Sequence, residues 1–111
     1  MLPPDPVLSL TRFVNALVAE DFAQAVAFSF HRDRLTAEQM AQAIHDYPGR
    51  LTLPPNSAYQ VMEVYEHDNG SGAILDFFLW VDGEPSELMI QINATYSDGD
   101  WHYTLWDILV P

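Results

Sequence analysis

The hydrophobic positions change period once along this chain, and the change divides it into a helical front and a stranded back. Val7, Leu10, Phe13, Val14, Leu17 and Val18 recur at three- and four-residue spacing, which sets one apolar stripe on a helix. Asp5-Pro6 opens that helix, an N-cap followed by a proline whose missing N–H costs nothing at the first helical position. Glu20-Asp21 breaks the stripe, and Asp21 caps a short second helix through Phe22, Val26 and Phe30. His31-Arg32-Asp33-Arg34 reads as a polar connector. Thr36-Ala37-Glu38-Gln39 is a capping-box pattern; it predicts a third helix with Met40, Ala43, Ile44 and Tyr47 inward, ended by Pro48-Gly49.

Beyond that point the period is two. Leu51-Thr52-Leu53 reads as a short strand stopped by Pro54-Pro55, and a longer strand is expected from Tyr59 to His67. Asp68-Asn69-Gly70-Ser71-Gly72 is a hairpin signal. Ala73 to Asp82 is the most apolar strand and belongs in the middle of the sheet. Asp82-Gly83-Glu84-Pro85 turns the chain into a strand from Glu87 to Tyr96. There Leu88, Ile90, Ile92, Ala94 and Tyr96 face one way and Met89, Gln91, Asn93 and Thr95 the other. Asp98-Gly99 turns it again into Trp101 to Val110. The expected fold class is α+β, a single domain over the whole chain. Three N-terminal helices cover one face of a curved, four-stranded antiparallel meander, with Leu51-Thr52-Leu53 as a short fifth strand.

Composition sharpens this picture. The 111 residues hold three tryptophans, five tyrosines and six phenylalanines, enough apolar surface for one core. Cysteine is absent, which excludes a disulfide framework, a thiolate nucleophile and a cysteine zinc site. The opening Met1-Leu2-Pro3-Pro4-Asp5-Pro6 lacks the basic and apolar regions of a signal peptide, and no apolar run reaches the ~20 residues that span a bilayer. A cytoplasmic location follows as an expectation. The arginine-only, alanine-rich usage points to a bacterial source.

Charge is the unusual feature. The net charge is -12, and the four basic residues are all arginines in the first 50 positions, where six acids bring the sum to -2. The remaining residues hold ten acids and no lysine or arginine, hence -10. Such a field repels nucleic-acid backbones and anionic membranes and attracts basic proteins.

Motifs for chemistry are sparse. His31, His45, His67 and His102 stand in no zinc-binding spacing, and no nucleophile elbow, phosphate loop or dinucleotide fingerprint occurs. Asp68 to Gly72 and Asp98-Gly99-Asp100 read as turns, lacking the terminal glutamate of a calcium loop. No catalytic residue, metal or cofactor is assigned. Asp76 and Asp107 each interrupt an apolar strand, where a raised pKa would suit a general acid or base; alternation turns Asp76 away from the helices instead. Trp101 and Trp106 read as core or sheet-edge aromatics.

The stretch Phe13-Val14-Asn15-Ala16-Leu17-Val18-Ala19-Glu20-Asp21-Phe22 resembles the start of many nuclear-transport-factor-2-like (cystatin-like α+β) domains. Leu79-Trp80 through Ser86-Glu87-Leu88, with the closing Asp107-Ile108-Leu109-Val110-Pro111, is similar to small uncharacterised bacterial proteins. The first resemblance implies helices seated in the hollow of a curved sheet, a cone-shaped pocket between the layers and a dimer through the open sheet face. Superfamily members include isomerases and dehydratases as well as non-catalytic proteins, so it implies no catalytic residue here.

Two functional expectations follow. The first is a non-enzymatic acidic module, of the accessory or immunity-protein kind, binding a basic protein or a second copy of itself. Its surface is the sheet face away from the helices: Asp76, Phe78, Trp80, Met89, Gln91 and Asn93. The second is a homodimer that binds or converts a small apolar ligand in a helix–sheet pocket lined by Tyr47, Tyr65, Tyr96, Tyr103 and Asp107.

Overall fold

The computed structural model describes residues 3–67 and 70–111, so Asp68 and Asn69 of the first expected hairpin lie outside the described residues. The helices begin where their caps are written. In α1 (Pro6–Val18) Asp5 accepts from the Leu8 N–H, and in α2 (Phe22–Phe28) Asp21 accepts from that of Gln24. In α3 (Ala37–Asp46) Thr36 and Gln39 close a reciprocal capping box.

The strands are β1 (Leu51–Thr52), β2 (Glu63–Glu66), β3 (Gly72–Val81), β4 (Glu84–Ser97) and β5 (Asp100–Leu109). All pairings are antiparallel. β2, β3, β4 and β5 form a meander, while β1 pairs with the far end of β3 on the edge that β2 also uses. Two connections need only two residues each. Asp82-Gly83 and Asp98-Gly99 all have positive φ, 53° and 81° then 54° and 79°, the tight turn that matches strand twist. β4 therefore starts at Glu84, three residues before the alternation begins.

One expected strand is replaced by a helix. Asn56–Val61 forms a 3₁₀ helix, and β2 keeps only Glu63–Glu66 of the expected Tyr59–His67. Adjacent Ala58 and Tyr59 are both buried, with the Tyr59 ring stacked on Phe77 at 5.4 Å. An alternating strand cannot bury two neighbours on one side, whereas a tight helical turn can.

The core lies between the helices and one sheet face. Leu10, Phe13, Val14 and Leu17 of α1 and Met40 of α3 meet Leu75, Leu79, Ile90, Ile92 and Leu105, all essentially inaccessible to solvent. A core of this kind contributes about 25 cal/mol for each Å² of apolar surface removed from water.

The polar connector has a structural task that its composition hides. β5 is the last strand, and Ser29 to Arg34 runs along its free edge. The Phe30 N–H donates to the Tyr103 carbonyl at 2.8 Å, the Leu105 N–H to Ser29 Oγ at 3.0 Å, and the His31 N–H to Thr104 Oγ1 at 3.2 Å. A register shift between Gln91 and Ile92 bulges β5 at Trp106; Arg34 Nε donates to the Trp106 carbonyl at 3.0 Å, and its guanidinium lies 4.0 Å from the indole centre. Covering the edge this way removes a template for strand addition.

Candidate functional site

Register decides which side chains share the outer sheet face. Glu63 pairs with Asp76, Asp76 with Gln91 and Gln91 with Asp107, so one row crosses four strands with three carboxylates and one amide. The next row is Tyr65, Ile74, Asn93 and Thr104, and on the other side lies Phe78, Met89 and Leu109. Directly paired side chains stand about 5 Å apart, close enough for the Glu63 and Asp76 carboxylates to repel.

Asp76 is the most constrained member. Burial pushes its carboxyl above the ordinary 3.8; the Gln91 hydrogen bond opposes this, and the neighbouring Glu63 charge adds to it. Its Oδ1 is buried and has no hydrogen-bond donor among the described residues. Glu63 accepts from the Tyr65 hydroxyl, which raises the Tyr65 pKa. Asp107 Oδ1 accepts from the Ile108 N–H at 2.8 Å. The ion pair among the described residues is elsewhere, His45 with Glu20, both exposed.

The face expected to bind a partner is therefore less apolar than alternation implied. Phe78 is exposed at 42%, but Met89 is buried at 7% because its cross-strand neighbours Phe78 and Leu109 cover it. Trp80 is half-buried against the core at the end of β3. Gln91 and Asn93 are half-buried and engaged, Gln91 with Asp76 and Asn93 with His67 Nε2 at 2.9 Å. The carboxylates Glu63 and Asp107 were missing from the expected face, since only the strand register shows that they align with Asp76.

The five residues of the expected pocket are not brought together. Tyr103 faces inward, and burial raises its pKa against a hydrogen bond from Ser9; Tyr47 packs at the core margin, its hydroxyl accepting from the Glu87 N–H at 3.3 Å. Tyr65 and Asp107 lie on the opposite sheet face. Tyr96 is exposed at the end of β4 against Trp101. The space where a cone would open is occupied by Phe13, Leu17, Met40 and Ile92.

A cleft of about 370 Å³ opens beside the carboxylate row, where the 3₁₀ helix meets the sheet. Its walls include Val61, Phe78, Trp80 and Pro85, and Val61 is exposed at 76%. Among the described residues no group of three or more histidine, aspartate or glutamate side chains is placed to hold a metal ion. No helix among the described residues is long and apolar enough to cross a membrane.

Fold and site together define an α+β domain with helices on one face of an antiparallel sheet and carboxylates across the other. The chain belongs to the family described as a domain of unknown function (DUF7668), whose model matches residues 14–111. No curated protein and no solved structure matches it.

Proposed function

We propose that this chain is a non-enzymatic protein-binding module that docks a basic partner on the outer face of its sheet, as an accessory or inhibitor protein does. The observation that carries the reading is the row Glu63, Asp76, Asp107, aligned across the sheet and paired with no cation among the described residues. A fixed line of negative charge speeds encounter with a basic surface and selects against acidic ones. The succession of helices and antiparallel strands also supports placing the domain with the nuclear-transport-factor-2-like superfamily. A homodimer through this face is disfavoured, because a two-fold interface sets the same patch against itself and opposes like charges.

The test is native mass spectrometry of the tagged protein isolated from its own cells at low salt, beside a Glu63→Gln/Asp76→Asn/Asp107→Asn variant. A stoichiometric complex with a basic protein is expected, lost on raising salt and absent from the variant. A partner retained by the variant at equal salt sensitivity, or a dimer alone in both samples, overturns the reading.

A further inference from the structure

The apolar cleft and the carboxylate pair Glu63–Asp76 adjoin along β3 and where the 3₁₀ helix leads into β2. Phe78 follows Asp76 by two positions on β3, and Val61 precedes Glu63 by two positions at the entry to β2. Alternate residues of a strand are about 7 Å apart on one face, so on β3 Phe78 stands one such step from Asp76, while Val61, the last residue of the 3₁₀ helix, forms another wall of the cleft. The apolar wall is open: Val61 is exposed at 76% and Phe78 at 42%. Of the acidic pair, Glu63 is exposed and Asp76 half-buried beside it.

We propose that cleft and pair form a two-part docking site for an extended basic segment of another protein. An apolar side chain enters between Val61, Phe78 and Trp80, and an arginine two positions away lies across Glu63 and Asp76. The charge of the site selects the occupant: an acidic or neutral segment gains nothing from the carboxylates, and a second copy of this chain brings more negative charge to them. An extended segment laid over β3 on the outer face repeats its side chains with the same period of about 7 Å, which matches anchor and arginine to cleft and pair. Arginine fits better than lysine, since its planar fork can donate to two carboxylates together. The inference rests on the protein-binding reading and adds the sequence pattern of the partner: an apolar residue and an arginine two positions apart.

The experiment is an NMR titration of the isotope-labelled full chain at low salt with short capped peptides of glycine and serine. They carry Leu-Thr-Arg, its reverse Arg-Thr-Leu, or Ser-Thr-Arg as control. One leucine order is expected to bind at least about tenfold more tightly than the control, the effect of burying one leucine side chain. The amide shifts are expected at Val61, Glu63, Asp76, Phe78 and Trp80. Val61→Asp, at a position exposed at 76%, should abolish the leucine advantage. Equal affinity of leucine and serine peptides, with salt-sensitive shifts at Glu63 and Asp76, overturns the two-part site and leaves the acidic module standing. Leucine-dependent shifts centred on another surface overturn the site as well. Absence of any salt-sensitive shift with all three peptides overturns both readings.

Discussion

Asp76→Asn removes a charge from a half-exposed position on the sheet, and it is expected to stabilise the folded domain at neutral pH. Burial, with Glu63 across the ladder, holds the Asp76 carboxyl above its ordinary 3.8, against the pull of the Gln91 hydrogen bond. A carboxyl raised in the folded state favours the protonated form there. Its contribution to stability is complete below the unfolded pKa and is lost as pH rises through the folded one. At pH 7 the ionised side chain therefore works against folding, and its neutral isostere does not. An unpaired buried polar group costs about 1–3 kcal/mol, and partial exposure of Asp76 puts the gain at the lower end, about 1 kcal/mol. For a domain of this size that is about 4 °C in Tm. Urea denaturation of both proteins at neutral pH and again close to 3.8 measures it. The variant should have the higher midpoint at neutral pH, with the difference closing as the pH falls and the wild-type carboxyl takes up its proton. A variant less stable at neutral pH, or a difference unchanged by pH, would refute the reasoning.

Four further outcomes follow from positions elsewhere. A Cβ on Gly72 would stand 2.0 Å from the Ala94 carbonyl oxygen of the paired strand, so Gly72→Ala should cost at least about 3 kcal/mol; Gly99→Ala, with open space around it and φ of 79°, should cost about 1–2 kcal/mol, both by denaturant midpoints. Ser29→Ala leaves the Leu105 N–H without its acceptor in a buried setting and should lose about 1–3 kcal/mol, with faster hydrogen exchange at Leu105. Arg34→Ala removes both the hydrogen bond to the Trp106 carbonyl and the guanidinium over its ring; about 1–2 kcal/mol and a changed Trp106 fluorescence are expected, together with greater self-association as the β5 edge is uncovered.

What was legible in the sequence was whatever neighbours in the chain decide. Asp5, Asp21 and Thr36 cap helices through hydrogen bonds reaching three residues, and Asp-Gly turns close strands on themselves, so their positions follow from local chemistry. The stripe of α1 and the alternation of β3 likewise mark their buried sides. What escaped depends on partners distant in sequence. Tyr59 turns out of a strand because Phe77 offers it a stacking surface. Met89 is hidden by Phe78 and Leu109, a fact of register and bulge rather than of its own alternation. The connector from Ser29 to Arg34 looks like a solvated link until the β5 edge appears beside it, 72 residues on from Arg34 to Trp106. The carboxylate row has the same origin, because its members come from three separate strands.

The charge of the stranded half is also not uniform in meaning once each acid has a place. Asp82 and Asp98 occupy the positive-φ positions of tight turns, where aspartate is among the residues that fit, and Asp82 also accepts from the Arg50 N–H at 3.1 Å. Asp100 accepts from the Trp101 N–H at 2.8 Å as β5 begins. These acids have folding tasks that account for them without a partner. Asp76 has no turn to make, no helix to cap and no cation beside it among the described residues, and the fold penalises its charge. A group that lowers stability where a neutral side chain would fit marks the place to look for function. It also lies on β3, held between β2 and β4 and so fixed by neighbours on both sides, which keeps its carboxylate oriented before any partner arrives. The proposed binding face is thus best defined by an acid whose charge the fold penalises, with Glu63 and the Phe78 cleft beside it, rather than by net charge.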